Sequence, residues 1–221
     1  MKLLLIDTCG ATGTIALAET NGAILTTATL PGRTASERLI PAIKTLFADH
    51  ATTLQSLNAI AIVHGPGSFT GVRIGLSAAK GLCEALAIPL IAISRLAVLA
   101  ELAPQSPHVH ALLDAGRGEF YYGEYANGIC LRELLRTRDE LQSADLHGQP
   151  VIICEPIAES LPLLAPQLVS EPQAQDALPI ALRRMQNEEF DDIATIDANY
   201  VRRTDAEIFA KPKPAPGTPT R

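Results

Sequence analysis

The run Gly65-Pro66-Gly67-Ser68-Phe69-Thr70-Gly71-Val72-Arg73-Ile74-Gly75 constrains this chain more than any other stretch. It follows an apolar segment, residues 59–63, with the composition of a buried strand, and it opens a helix that runs on to residue 86. The polar residues of that helix, Arg73, Ser77, Lys80 and Glu84, recur at spacings of four, three and four, which makes one narrow stripe. Nearly everything else on it is apolar or small. A helix packed on a single sheet carries a wider polar face, so the pattern predicts burial on two sides. Gly75 and Gly81 each cost a helix about 1 kcal/mol relative to alanine. Close approach of a second backbone would offset that cost. Gly71 and Gly75, one turn apart, would leave a flat groove for it. Two readings stand: a helix central to its own domain, or a helix that itself makes a protein–protein interface. The second is the sharper and is preferred.

The 221 residues permit one large domain or two small ones, and a hydrophobic fraction of 47% supplies a core. There is no Trp, and with five Phe and four Tyr, platforms for stacking bases are scarce. A net charge of −6 argues against binding nucleic acid through a broad basic face. The four cysteines, Cys9, Cys83, Cys130 and Cys154, are far apart and form no CxxC pair, which reads as reduced thiols in a cytosolic protein. The apolar start ends at Asp7, too short for a signal-peptide core, and no run approaches a membrane span. The expectation is a soluble, cytoplasmic protein.

Strands are expected at residues 3–6, 14–18 and 23–29, the last two joined by Asn21-Gly22, a tight-hairpin signal. These form an antiparallel meander. Thr34-Ala35-Ser36-Glu37 matches a capping box for a helix to about residue 48, which Pro41 should kink or delay. Strands at 58–63 and 89–93 follow, with Ser94 capping a helix over 95–103. Pro104-Gln105-Ser106-Pro107 marks the boundary between a first subdomain, 1–103, and a second, 104–205. In the second, strands are expected at 109–113, 119–125, 129–136 and 151–154, with a hairpin at Asn127-Gly128, and helices at 139–144, 158–164 and 177–189. It reads as a shorter, eroded echo of the first. The Pro-rich tail, 206–221, is expected to be flexible.

Asp7 and Asp114 end corresponding strands, and ligands gather beyond the carboxyl ends of strands in an open sheet. Such a pair could hold a metal–nucleotide complex. The alternative, which is favoured, is that each acid caps its own turn. The loop 65–70 could cradle phosphate at a helix N-terminus, but it lacks the Walker lysine, and Pro66 removes a donor. Asp7, Thr8, Gly65 and Gly67 are the candidate nucleotide contacts. His50, His64, His108, His110 and His147 read as surface residues without the company a metal site needs. No serine or cysteine has a visible base partner. No catalytic residue and no metal ligand is assigned.

Taken together, these residues resemble the bacterial TsaB family, also called YeaZ. The carriers are Ile6-Asp7-Thr8, Ser36-Glu37-Arg38-Leu39-Ile40-Pro41, the run from Gly65 to Gly75, Asp114-Ala115-Gly116-Arg117-Gly118-Glu119 and Asn199-Tyr200-Val201-Arg202-Arg203. The resemblance implies an α/β, actin-like or Hsp70-like ATPase fold (ASKHA, RNase H-like) with two related subdomains around a cleft, the second degenerate. It implies a non-catalytic partner that binds and activates TsaD, the transferase that makes threonylcarbamoyladenosine beside the tRNA anticodon, with the ATPase TsaE joining. Contact with tRNA would be indirect, the free protein would be a homodimer, and ATP or ADP with Mg would bind at the complex. TsaD-like proteins carry a metal-binding His-x-x-x-His where this chain has Arg95 and Leu99, so that site should be absent. The family often has a histidine where Ala35 stands. The first two helices would make the partner contact, through Leu39, Ile43 and Leu46 on one and Gly71, Val72, Gly75, Leu76, Ala79 and Leu82 on the other. On this expectation Leu76→Glu breaks the complex and spares the fold. The rival reading is an active ATPase or phosphotransferase using Asp7 and Asp114. A protease is disfavoured for want of a nucleophile and base.

Overall fold

Two five-stranded sheets repeat one strand order in the computed structural model, which describes residues 1–30, 34–50, 52–103, 106–146 and 148–201. In the first sheet β1 (Lys2–Asp7), β2 (Gly13–Glu19) and β3 (Ile24–Leu30) form an antiparallel meander. β4 (Leu57–Val63) then adds parallel to β1, and β5 (Leu90–Ile93) parallel to β4. In the second, β6 (His108–Gly116), β7 (Glu119–Ala126) and β8 (Ile129–Thr137) repeat the meander. β9 (Val151–Ile153) adds parallel to β6 and β10 (Gln167–Leu168) parallel to β9. The central strands read as they do because both of their faces are covered: Leu3, Leu4, Leu5 and Ile6 are all fully buried. The second hairpin turns at Asn127 (φ 51°) and Gly128 (φ 74°), the paired left-handed residues that a tight two-residue turn requires.

The connections show where the echo has eroded. In the first half α1 (Ala35–Ala48) links β3 to β4, and α2 (Phe69–Leu86) links β4 to β5. In the second, only the five-residue α4 (Arg138–Gln142) remains of the first connection. The helix expected over 158–164 is instead two 3-10 turns, Ala158–Ser160 and Pro162–Leu164. Pro162 explains the break, because it drives the preceding Leu161 out of the helical region, to φ −133° and ψ 53°. The strand β10 lacks a sequence signal. α3 (Arg95–Glu101) packs on β6, β7 and β9, between the two sheets.

The chain then returns to the first half. Ala174, Ala177, Leu178, Ala181 and Ala198 all belong to the core of the first sheet, the first four through a 3-10 turn, Ala174–Ala177, and α5 (Leu178–Gln186). These residues fall within the range 104–205 expected for the second unit, and they pack on the first sheet. The tail 206–221, His147 and the Pro104-Gln105 junction lie outside the described residues. The start of α1 is not delayed by Pro41, which stands on the exposed face so that its missing donor leaves solvent to serve the carbonyl before it. The Thr34 side chain makes no cap bond.

α2 corrects the opening expectation. Val72, Gly75, Leu76, Ala79 and Cys83 face the chain's own sheet and are buried there. Arg73 Nε donates to the Tyr200 hydroxyl at 2.6 Å and Lys80 Nζ to the Ile196 carbonyl at 3.0 Å, so much of the polar stripe meets the returning segment. Two of the glycines, Gly71 and Gly75, are explained within the subunit. A Cβ at Gly71 would lie 2.0 Å from the Thr8 carbonyl oxygen, and one at Gly75 would lie 2.2 Å from Thr8 Oγ1. The backbone that approaches α2 is the turn after β1.

Candidate functional site

A cleft of about 820 Å³ opens between the two sheets, at the carboxyl ends of β1, β4, β6 and β9. One wall is the turn after β1, with Thr8, Cys9 and Gly10, against the first turn of α2, with Ser68, Phe69 and Thr70. The two are stitched together. Thr8 Oγ1 donates to the Gly71 carbonyl at 2.6 Å, and the Ser68 amide donates to the Cys9 carbonyl at 2.8 Å. Ser68 Oγ accepts from the Gly71 amide and caps the helix. The opposite wall carries Asp114, Cys154 and Glu155, and Arg95 and Glu171 meet at the floor. At the lip Phe69 is 57% exposed, with the Arg73 guanidinium 3.7 Å over its ring.

The electrostatics centre on Arg95. Its side chain is only 5% exposed and donates to Glu171 at 2.8 Å, while its Nε is buried without a partner among the described residues. Burial, the largest single influence, works against its charge, but Asp7, Cys9, Cys154 and Glu171 together outweigh it and its pKa is raised. Burial likewise pushes the Asp7 carboxyl up, with Arg95 opposing. Burial raises the Glu155 carboxyl and pushes the Cys154 thiol up to about 11. Burial drives the Cys9 thiol well above its usual range. None of these thiols is poised to attack.

The nominated nucleotide contacts divide. Thr8 and Gly67 line the cleft; Asp7 and Gly65 do not. Asp7 is 3% exposed and accepts from the Cys9 amide at 2.8 Å, so it caps its own turn. Gly65, at φ +114°, packs its open side on Asn199, whose carbonyl oxygen would lie 2.8 Å from a Cβ. Asp114 lines the cleft but also takes the Gly116 amide at 2.7 Å. The two aspartates do not face each other across the cleft as an acid pair. Arg95 and Leu99, where a His-x-x-x-His would stand, are both buried. Among the described residues no group of three or more metal-capable side chains is gathered, and no helix is long and apolar enough to cross a membrane. The histidines are less superficial than expected. His50 is exposed and His64 and His108 are half-buried. His110 is 3% exposed, bonded to Tyr122 and Gln149 at 2.9 Å each. Glu155 and Glu171 lack a motif of their own; only the position of Glu155, directly after β9, could have marked it.

The nominated partner-contact residues also need correction. Leu39, Ile43 and Leu46 on α1 are buried in the subunit's own core, as are Val72, Gly75, Leu76 and Ala79 on α2; Gly71 and Leu82 are half-buried. Among the residues that α1 and α2 leave open are Ile40, which is 41% exposed, and the outer ridge Ser77, Gly81 and Ala85 with the half-buried Ala78 beside it. A Cβ at Gly81 would meet none of the described residues within 4 Å.

A family model described as TsaD, tRNA N6-adenosine threonylcarbamoyltransferase, matches residues 29–138. The chain is 36% identical over 135 residues to the tRNA threonylcarbamoyladenosine biosynthesis protein TsaB of Escherichia coli, covering 58% of each chain. It is 38% identical over 135 residues to the Bacillus subtilis protein of the same name, again over 58% of each. It thus spans a little over half the length of the curated relatives it matches. The solved structure of YeaZ from Pseudomonas aeruginosa superposes with a TM-score of 0.76 at 27% identity, covering 90% of this chain and 99% of that one. With its doubled sheet order around a cleft, the architecture is the actin-like ATPase fold.

Proposed function

The chain belongs to the TsaB (YeaZ) family, and on that premise we propose that it serves threonylcarbamoyladenosine formation on tRNA as a non-catalytic subunit that binds and activates the TsaD transferase. The observation that carries this reading is the outer ridge of α2. Ser77, Gly81 and Ala85 form a low, exposed surface, and Gly81 stands in mid-helix although nothing among the described residues presses on it. A glycine there costs about 1 kcal/mol relative to alanine, so a close-packed helix of a partner supplies its reason. TsaD is that partner, TsaE joins the assembly, and a second copy of this chain takes the same ridge when TsaD is absent. Any ATP or ADP with Mg belongs to the complex, tRNA is held mainly by TsaD, and the assembly works in the cytoplasm.

The non-catalytic part of the reading is supported by the cleft. Among the described residues, its hydroxyls and thiols, Thr8, Ser68, Thr70, Cys9 and Cys154, have no histidine lining the same cavity to act as base. Asp7, the acid on which the rival phosphotransferase reading depends, is turned away into its own loop.

The test uses variants on the ridge. Gly81→Glu and Ala78→Arg are expected to abolish co-elution with TsaD on size exclusion while leaving thermal unfolding close to that of the parent chain. Co-elution that survives both would move the contact elsewhere. Leu76→Glu does not serve, because Leu76 is 4% exposed against its own sheet and an unpaired buried charge unfolds the subunit.

A further inference from the structure

The cleft floor presents two opposite electrical poles within one cavity. The positive pole is Arg95, whose side chain is 5% exposed, whose Nε has no partner among the described residues, and whose Nη2 would lie 3.0 Å from a Cβ at Gly10 on the cavity wall. The N-terminus of the 18-residue α2 opens into the same space at Ser68 and Phe69 and adds its dipole. The negative pole is the trio Asp114, Glu155 and Glu171. These carboxylates crowd one another: the Asp114 amide donates to Glu155 Oε2 at 2.6 Å, and both Asp114 and Glu171 add to the upward push on Glu155.

Glu171 shows what the positive pole accepts. Its carboxylate sits 2.8 Å from Arg95 Nη2 and blocks the space above Gly10, where a Cβ would lie 2.2 Å from Glu171 Oε1. Its side chain is 46% exposed, so it can leave this place at little cost, whereas Arg95 cannot. A guanidinium fork matches a carboxylate better than a point anion. A simple anion arriving here would meet three carboxylates and one arginine, and would be repelled. A simple cation would leave Arg95 bound to Glu171 and gain only half of the site. A molecule with both charges satisfies both poles: its carboxylate replaces Glu171 on Arg95, and the released Glu171 joins Asp114 and Glu155 around its ammonium.

We infer that the cleft binds a small zwitterion of the α-amino acid class, with Arg95 as carboxylate receptor and Glu171 as the resident carboxylate that the ligand displaces. The inference is independent of the TsaD reading, since it concerns the cleft and not the outer face of α2.

The full chain is titrated with each common L-amino acid, and separately with acetate, methylamine, inorganic phosphate and ADP, while amide NMR signals are followed. At least one amino acid is expected to saturate in the millimolar range or below, moving the signals of Gly10, Gly67 and Arg95, with acetate and methylamine at least about tenfold weaker. Arg95→Met should abolish this binding. Glu171→Gln, at a half-exposed position, should keep the fold and shrink the preference for an amino acid over acetate. The proposal fails if no amino acid saturates, or if the shifts map away from the cleft. It fails equally if phosphate or ADP binds more tightly than every amino acid, or if Glu171→Gln leaves the preference unchanged. Should Arg95→Met not fold, the Glu171→Gln arm decides alone.

Discussion

The Thr8 hydroxyl donates to the Gly71 carbonyl at 2.6 Å, and this contact between the first turn of the chain and the first turn of α2 explains the glycines that dominate the sequence. Thr8 lies so close to the helix that neither position 71 nor position 75 has room for a side chain. The same contact draws the β1 turn and the α2 N-terminus into one cleft wall.

Gly75→Ala and Gly71→Ala should each destabilise the subunit. The added methyl meets Thr8 at 2.2 Å and 2.0 Å respectively, and forcing atoms into such a contact costs about 1–3 kcal/mol or more. Urea denaturation with an unchanged m-value checks this. Parent-like midpoints would mean that the turn after β1 moves freely.

Gly81→Ala should do the opposite. The position is helical and exposed, with none of the described residues within 4 Å of a Cβ, so alanine gains up to about 1 kcal/mol of helix propensity. The isolated subunit should melt later, while affinity for TsaD falls. A variant more stable with undiminished TsaD affinity would remove the reason offered for this glycine.

Asp7→Ala tests whether Asp7 is structural. The carboxylate is buried, accepts from the Cys9 amide, and balances the charge of Arg95. Its loss strands a buried donor, worth about 1–3 kcal/mol. A denaturation midpoint equal to the parent's would return Asp7 to consideration as a chemical group.

His110 should make stability sensitive to mild acid. Burial holds its pKa below the ordinary 6.5. The unfolded chain then binds the proton first, so stability is complete above about pH 6.5 and is lost as pH falls through that value toward the folded pKa. His64, lowered by burial as well, adds in the same direction. Denaturation midpoints should fall between pH 7 and 5, and His110→Gln should flatten part of that slope. A slope unchanged by the substitution would assign it to other groups.

How far the fold was legible follows from the physics of each element. Strands buried on both faces, such as β1 and β4, announce themselves as apolar runs, and the hairpins at Asn21-Gly22 and Asn127-Gly128 follow from residues that accept left-handed backbone, Gly22 in the first and both Asn127 and Gly128 in the second. The capping of Asp7 and Asp114 within their own turns was also readable, because Asp favours such local bonds. Partner identity for α2 was not. Periodicity says that a second backbone must approach Gly71 and Gly75, but it cannot say whether that backbone is Thr8 or another molecule. The Arg95–Glu171 pair joins residues 76 positions apart, and no spacing rule reaches across that distance. The burial of His110 depends on Gln149 and Tyr122 arriving from other elements. The return of α5 to the first sheet escaped because its apolar pattern marks a buried face without marking what buries it.

Reconstitution tests the central claim most directly: threonylcarbamoyladenosine formed on tRNA by TsaD, with TsaE and the threonylcarbamoyl donor supplied, measured with this chain, without it, and with Gly81→Glu. Modification should need the parent chain and fall to the level without it for Gly81→Glu. Equal modification in all three reactions would contradict the role assigned to α2 and to the protein.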